Sequence, residues 1–180
     1  LRTFDVSIPG PTEYVNQYQA WSTMGYLSAI MHQELGDPPS VAGWPAYYQI
    51  PQYHELWINS DTLSNRNKVS DVLISSGYRA NGGRIQIDSL HFTKKLDNPS
   101  NPNLLIDELL ELMHTLNVEQ SQKDYMKSIL LSGQLDDSYW TTAWNTYFAD
   151  QSDTTKAQLV EVRLDMLIKY VMNLSEFQLS

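Results

Sequence analysis

Apolar residues recur at three- and four-residue steps through most of the chain, the spacing expected of one face of an α-helix. The first such stretch covers about residues 12–35. Thr12 suits its N-cap, and Gly36 suits the left-handed position just after its last turn. The apolar positions of this stretch spread over a wide arc, so the pattern predicts a helix that is buried on more than one side.

The same periodicity continues after a break. Ser60 or Asp61 caps a second predicted helix that reaches about residue 76, where Gly77 ends it. Five more helices are predicted at about 90–96, from Pro102 to about 116, at about 119–132, after Asp136-Asp137, and from about Thr154 onward. The helix after Asp137 has one aromatic face, made of Trp140, Trp144, Tyr147 and Phe148. The last helix has an apolar stripe, made of Leu159, Val162, Met166, Tyr170 and Leu174.

Residues 84–88 alternate between polar and apolar, which predicts a short strand, and Asn81-Gly82-Gly83 before them is a turn signal. No second strand is evident to pair with it. The fold class predicted is therefore mainly α: a single compact domain over residues 1–180, with six to seven helices and at most one short strand. That length suffices for one sizeable hydrophobic core.

The segment between the first two helices has no helical period, because Pro38, Pro39, Pro45 and Pro51 interrupt it. It is rich in aromatic residues: Trp44, Tyr47, Tyr48, Tyr53 and Trp57. Two interpretations stay open. The segment either packs as a rigid lid over the core, or forms an open aromatic shelf that stacks on sugar rings or on a partner's side chains.

The charge balance narrows the class of partner. The chain has 12 Lys and Arg against 21 Asp and Glu, a formal net charge of −9. An acidic surface repels phosphate backbones and anionic lipids, so we expect no nucleic-acid binding. No apolar run approaches the roughly 20 residues of a membrane span, so no membrane insertion is expected. The chain has no cysteine, which excludes thiolate chemistry and disulfides.

Candidate chemistry is sparse. Glu34, Asp37 and Glu55 are the carboxylates beside the aromatic segment, and they are the candidates for glycan binding or cleavage there. His32 and His54 lie nearby, but not at a recognised metal-ligand spacing. No serine-nucleophile or phosphate-binding motif occurs. The sequence therefore predicts no catalytic residue, no metal site and no cofactor.

One string of residues is distinctive. Pro38-Pro39-Ser40-Val41-Ala42-Gly43-Trp44, followed by Trp57 and Arg66, resembles the C-terminal part of the bacterial family called domain of unknown function 1800. The link between the two tryptophans, residues 45–56, is longer than is common in that family. The resemblance makes Pro38, Pro39, Gly43, Trp44, Trp57 and Arg66 a structural motif. We expect Arg66 to hydrogen-bond loop carbonyls or to stack on one of the indoles.

The resemblance also implies a setting. Relatives are longer and exported, so it implies the C-terminal part of a longer protein in the periplasm or at the cell surface, with any export signal either removed or outside these residues. The family supplies no established activity. Two hypotheses follow: a non-catalytic structural or interaction module that packs on the N-terminal region of its own chain or on another envelope protein, or a carbohydrate-binding or glycoside-cleaving domain that uses residues 44–57.

Overall fold

The computed structural model describes residues 4, 6, 8–32, 59–80, 83–114 and 117–178. In those residues it contains eight α-helices and one two-stranded sheet, which confirms the mainly helical class. The chain divides into two compact units. The N-terminal unit is Ser7–Gln86 with Leu179, and the C-terminal unit is Ile87–Gln178 with Leu1–Val6 and Ser180. The prediction of one domain over residues 1–180 stays a prediction.

The N-terminal unit begins with a 3-10 turn, Pro11–Glu13, that leads directly into helix α1, Tyr14–Ile30. Helix α1 ends earlier than predicted, because its last turn tightens: the N–H of His32 donates to the carbonyl of Ala29 at 3.0 Å, and His32 has a φ of 54°. His32 therefore takes the left-handed conformation that stops α1, and the predicted stop at Gly36 lies outside the described residues.

The prediction that the first helix is buried on more than one side is wrong for α1. Only Ala20 and Leu27 of this helix are buried. They lie seven residues apart on one side, and α1 packs on the sheet and on the next helix. The amide of Asn65 adds a hydrogen bond to the carbonyl of Ile30 at 3.2 Å. A narrow stripe of small and medium side chains thus makes the packing contact, and the aromatic residues lie elsewhere.

Helix α2 spans Ser60–Ser75, and its cap is Asn59, one residue before the predicted position. The side chain of Asn59 accepts from the N–H of Thr62 at 2.9 Å, and Oγ1 of Thr62 accepts from the N–H of Asn59 at 2.9 Å. This reciprocal pair is a capping box. At the other end Gly77 has a φ of +64°, as its predicted helix-ending role requires.

Two antiparallel strands follow: β1, Tyr78–Ala80, and β2, Gly83–Ile85, with Tyr78 opposite Ile85. The sequence predicted one strand at 84–88, and the structure adds its partner. Strand β1 has only three residues, which is too short for polar and apolar positions to alternate visibly.

Where the structure describes it, the C-terminal unit contains six helices: α3 Ser89–Thr93, α4 Pro102–Met113, α5 Gln120–Leu130, α6 Ser138–Ala149, α7 Thr154–Asn173 and α8 Ser175–Gln178. Helix α7 is central, since α3, α5, α6 and α8 all pack against it. Its inner side is fully buried and consists of Val160, Leu164, Leu167, Ile168 and Val171. The core of this unit therefore forms around one long helix.

Two of these helices start where they were predicted to start, near Pro102 and Thr154, and local signals fix both starts. Asn101 accepts from the N–H of Asn103 at 3.0 Å and precedes Pro102 at the first helical position. Asp153 accepts from the N–H of Thr155 at 2.9 Å at the start of α7. The short helix α8, which the sequence did not predict, follows a break at Leu174, whose backbone is extended.

The aromatic face of α6 is largely core. Trp140 is completely buried, and Trp144 and Tyr147 are nearly so. The indole Nε1–H of Trp140 donates to the carbonyl of Pro99 at 2.9 Å, which satisfies the buried polar group of this ring. Phe148 is the exception, because it lies mostly in solvent.

Candidate functional site

Most residues of the predicted loop site lie outside the described residues. These are Glu34, Asp37, Pro38, Pro39, Gly43, Trp44, Tyr47, Tyr48, Tyr53, Glu55 and Trp57. Their roles in ligand binding, and the lid or shelf that they would form, stay predictions.

Arg66 is the one motif residue that the structure describes. It lies on α2, where its carbonyl accepts from the hydroxyl of Ser70 at 3.1 Å. Its side chain is partly buried, and this burial lowers the pKa of the guanidinium. That environment is compatible with the predicted structural role, and the loop contacts themselves stay a prediction.

Metal binding and membrane insertion are two other functions that a chain of this kind could have. In the described part of the chain, no group of three or more His, Cys, Asp or Glu side chains has a geometry that could hold a metal ion. Among the helices of those same residues, none combines the length and the apolar character that are needed to cross a bilayer.

Exposed aromatic residues mark one side of α1. Tyr14, Tyr18 and Trp21 are spaced by four and three residues, so they share a side of the helix, and they are 65%, 63% and 49% exposed. We call these three residues the α1 aromatic face. The rings of Tyr18 and Trp21 lie edge to face, with centroids 5.4 Å apart and planes at 78°. Gly25 continues the same side, and a Cβ built there would meet nothing within 4 Å.

Helix α1 is also uncharged. Its 17 residues include no Asp, Glu, Lys or Arg, although the whole chain has a net charge of −9. Soluble proteins usually give the solvent side of a surface helix charged residues. An uncharged helix that displays large aromatic rings is poorly matched to solvent, and this side of α1 therefore has the character of a contact surface.

A second exposed apolar row lies on α7, in the C-terminal unit. Leu159, Val162 and Met166 belong to the stripe predicted for this helix, yet all three are exposed. Helix α7 is apolar on two sides, and the core takes the side of Val160 and Leu164. We call Leu159, Val162 and Met166 the outer row of α7.

An open groove of about 400 Å³ runs between α6 and α7 beside this row. Helix α6 contributes Tyr139, Thr142 and Thr146, and α7 contributes Lys156, Leu159 and Arg163. The groove therefore combines apolar and hydroxyl-bearing walls with two cations, an arrangement that can bind an amphipathic ligand.

The two cations of the groove differ in their partners. Nζ of Lys156 lies 3.1 Å from a carboxylate oxygen of Asp150 and 3.2 Å from one of Asp153, and these acids raise the pKa of Lys156. Nη1 of Arg163 instead donates to two backbone carbonyls, those of Leu130 at 3.2 Å and Tyr139 at 3.4 Å. Among the described residues no carboxylate lies within ion-pair distance of Arg163.

A cluster of acids lies at the contact of α3 with α7. The buried hydroxyl of Ser89 donates to Oδ1 of the half-buried Asp165. Burial raises the pKa of Asp165, against the opposing effects of Ser89 and Lys169. Glu161 is largely exposed, but partial desolvation at this contact still raises its pKa, with further contributions from Asp165 and Asp88. These carboxylates repel each other when they are ionised. Protonation of Asp165 or Glu161 removes that repulsion and stabilises the contact between α3 and α7.

This cluster makes a contribution to stability that falls as pH rises, opposite in sign to that of the acids whose pKa values are lowered, such as Asp150 and Asp153. The folded chain holds protons on Asp165 and Glu161 more tightly than the unfolded chain does, so their favourable contribution is complete below the ordinary carboxyl pKa values. This contribution to stability is lost as pH rises through the raised pKa values of Asp165 and Glu161 in the folded chain. Asp165→Asn keeps an acceptor for Ser89, and should flatten this dependence and raise stability at neutral pH. The gain should stay within about 1 kcal/mol, because the side chain is half in solvent.

The measurement is the urea midpoint of unfolding at a series of pH values from acidic to neutral. Asp97→Asn is the control, since Asp97 is exposed and its loss changes the net charge equally. A variant Asp165→Asn that keeps the pH slope of the native chain would contradict the assignment.

The sequence analysis did not identify Arg163 as a site residue, and it did not predict that the outer row of α7 is exposed. A signal was present, because Arg163 stands between Val162 and Met166 in an otherwise apolar stripe. Periodicity alone does not tell which of the two apolar sides of α7 faces the core, and an arginine within a predicted core stripe was the indication that this side faces outward.

The comparisons with known proteins give one family. Residues 6–179 match the model of the family described as "Protein of unknown function (DUF1800)". No curated protein and no solved structure matched the chain. The family match extends the resemblance noted around residues 35–67 to nearly the whole chain, and this protein therefore belongs to the DUF1800 family.

Proposed function

We propose that this chain is a non-catalytic interaction module, and that the α1 aromatic face packs on another segment of polypeptide. One observation supports this most strongly: α1 exposes Tyr14, Tyr18 and Trp21 although it bears no charged residue that would suit it to solvent. Such a patch on a soluble protein marks a contact surface.

The energetics favour a partner in the same polypeptide. Covering about 100 Å² on each of the three rings would contribute about 7 kcal/mol gross, at about 25 cal/mol per Å². Association of separate proteins costs about 4–15 kcal/mol in lost freedom, which is of the same size. A linked segment avoids most of that cost, because its effective concentration is high. We therefore assign the partner to the N-terminal region that longer relatives have.

The geometry of the rings argues against a glycan as the main ligand. The planes of Tyr18 and Trp21 are 78° apart. A flat sugar-stacking platform needs ring faces that point the same way, whereas edge-to-face rings make a ridge that fits between the side chains of a protein. The export of the protein, to the periplasm or the cell surface, is part of this proposal and rests on the family resemblance alone.

The test is copurification. The N-terminal region of the longer polypeptide, bearing an affinity tag, is produced together with this chain as a separate polypeptide. The native chain should copurify, and the double variant Tyr18→Ser/Trp21→Ser should be lost from the complex. Tyr26→Ser is the matched control, since Tyr26 is equally exposed on α1 but lies on another side.

Two results would count against the proposal. Loss of the complex in Tyr26→Ser to the same degree would show that the α1 aromatic face is not the contact. The second result is slower migration of the native chain than of the double variant in gels containing hydroxyethylcellulose, laminarin or xylan. That result would show that the ligand of the α1 aromatic face is a neutral glycan and not a polypeptide.

A further inference from the structure

We infer that the α6–α7 groove is a second docking site, which binds an amphipathic helix of a partner protein and pairs one carboxylate of that helix with Arg163. This inference goes beyond the proposed function, because the groove and the α1 aromatic face belong to different units and use different chemistry.

The first step is the uncompensated charge of Arg163. Its Nη1 donates to the carbonyls of Leu130 and Tyr139, and a guanidinium has five N–H donors in all. Burial alone lowers the pKa of Arg163, with no opposing contribution from an acid. A partly buried cation is costly unless an anion pairs with it. Because Arg163 lines the groove, a ligand carboxylate placed there would supply that anion.

The second step is the contrast with Lys156 in the same groove. Asp150 and Asp153 already neutralise Lys156, and they place two negative charges at that end. A polyanion such as a phosphate backbone would be repelled there, whereas a single carboxylate at Arg163 would not meet those acids. The charge pattern therefore selects a ligand with one acid in an otherwise apolar surface.

The third step is the apolar surround. Tyr139, Leu159, Val162 and Met166 are all about half exposed next to Arg163. Aromatic residues, methionine and arginine are the types enriched in the cores of protein interfaces. Thr142 and Thr146 on the facing wall add hydroxyl groups that can bind the polar edge of a ligand.

The fourth step is the length of the surface. The outer row of α7 extends from Leu159 to Met166, seven residues or about 10 Å, and Val162 and Met166 lie outside the groove itself. A small amphiphilic acid would fill the groove and leave those two side chains uncovered. Two turns of a helix with apolar residues at three- and four-residue steps would cover the whole row.

The experiment uses three synthetic helical peptides with the same apolar stripe and Glu, Gln or Lys at one central position beside it. Their affinities are measured by fluorescence anisotropy. The Glu peptide should bind the native chain about tenfold more tightly than the Gln peptide, the scale of a charge-assisted hydrogen bond. Arg163→Gln should abolish this preference. Lys68→Gln removes an equal charge from an exposed position on α2 and should leave the preference for the Glu peptide intact.

Several results would overturn the inference. Equal binding of the Glu and Gln peptides, or an unchanged preference in Arg163→Gln, would remove the role of the arginine. A rise in melting temperature with dodecanoate, without peptide binding, would make the ligand a small amphiphile. A dimer in sedimentation equilibrium that Arg163→Gln dissociates would make the occupant a second copy of this chain. The copurification assay on α1 uses neither Arg163 nor these peptides, so either proposal can fail while the other stands.

Discussion

Trp140→Ala should lower the free energy of unfolding of the C-terminal unit by about 4 kcal/mol. The ring is completely buried, packs on Trp144 with centroids 5.8 Å apart, and hydrogen-bonds the carbonyl of Pro99 at 2.9 Å. Alanine would remove the packing of the ring and leave a large cavity. It would also leave the carbonyl of Pro99 without the N–H donor of Trp140. Urea unfolding followed by far-UV circular dichroism measures the change.

Two further variants separate the contributions. Trp140→Phe keeps most of the ring and loses the N–H, so it should cost about 1–3 kcal/mol from the unpaired carbonyl and the smaller volume. Tyr139→Ala, at the exposed neighbouring position, should change stability by no more than about 0.5 kcal/mol. If Trp140→Ala destabilised no more than Tyr139→Ala, the aromatic side of α6 would not be core.

Gly77→Ala should destabilise the N-terminal unit by about 3 kcal/mol, for two reasons that add. Gly77 has a φ of +64°, which costs a residue with a Cβ about 1–2 kcal/mol. A Cβ at this position would also lie 2.7 Å from Cβ of Gln86 and 2.8 Å from the carbonyl oxygen of Ile85. The backbone of the returning strand would have to move away from the end of α2.

Gly133→Ala is the matched control for that overlap. Gly133 also has a positive φ, +78°, but a Cβ there would meet nothing within 4 Å. This variant should cost only the conformational part, about 1–2 kcal/mol. Equal losses in the two variants, measured as urea midpoints, would show that the close approach of Gln86 to Gly77 does not restrict this position.

Local chemistry explains the parts of the fold that the sequence predicted well. Asn101 with Pro102, Asp153 and Gly77 each act on the backbone within a few residues of themselves. Their effect on helix starts and ends therefore needs no tertiary information. The buried tryptophans of α6 were predictable for a similar reason, since Trp140 and Trp144 share one side of a single helix.

Tertiary packing explains the parts that the sequence missed. Helix α1 was predicted to be buried widely because its rings cover a broad arc, but its packing surface in the structure is the side of Ala20 and Leu27. The outer row of α7 was missed because the helix is apolar on two sides, and only its neighbours decide which side is inside. Strand β1 is defined by its pairing with β2. Its three residues are too few to show a strand pattern in the sequence.

The candidate site divides in the same way. The loop residues came partly from a family motif and partly from the aromatic residues and carboxylates around it, and their roles stay predictions because residues 33–58 lie outside the described part of the chain. The α1 aromatic face and Arg163 emerged only from side-chain exposure and from the partners of each charge. Neither property is encoded locally, since both depend on which residues fold against them.

Hydroxyl-radical footprinting of α1 can show whether an N-terminal region covers the α1 aromatic face. The oxidation rates of Tyr14, Tyr18 and Trp21 are compared between this chain alone and a longer polypeptide that includes the N-terminal region proposed as its partner, with Tyr26 as an internal reference. We expect rapid oxidation of all three rings in the chain alone and strong protection of them, but not of Tyr26, in the longer polypeptide. Equal oxidation of the three rings in both samples would contradict it.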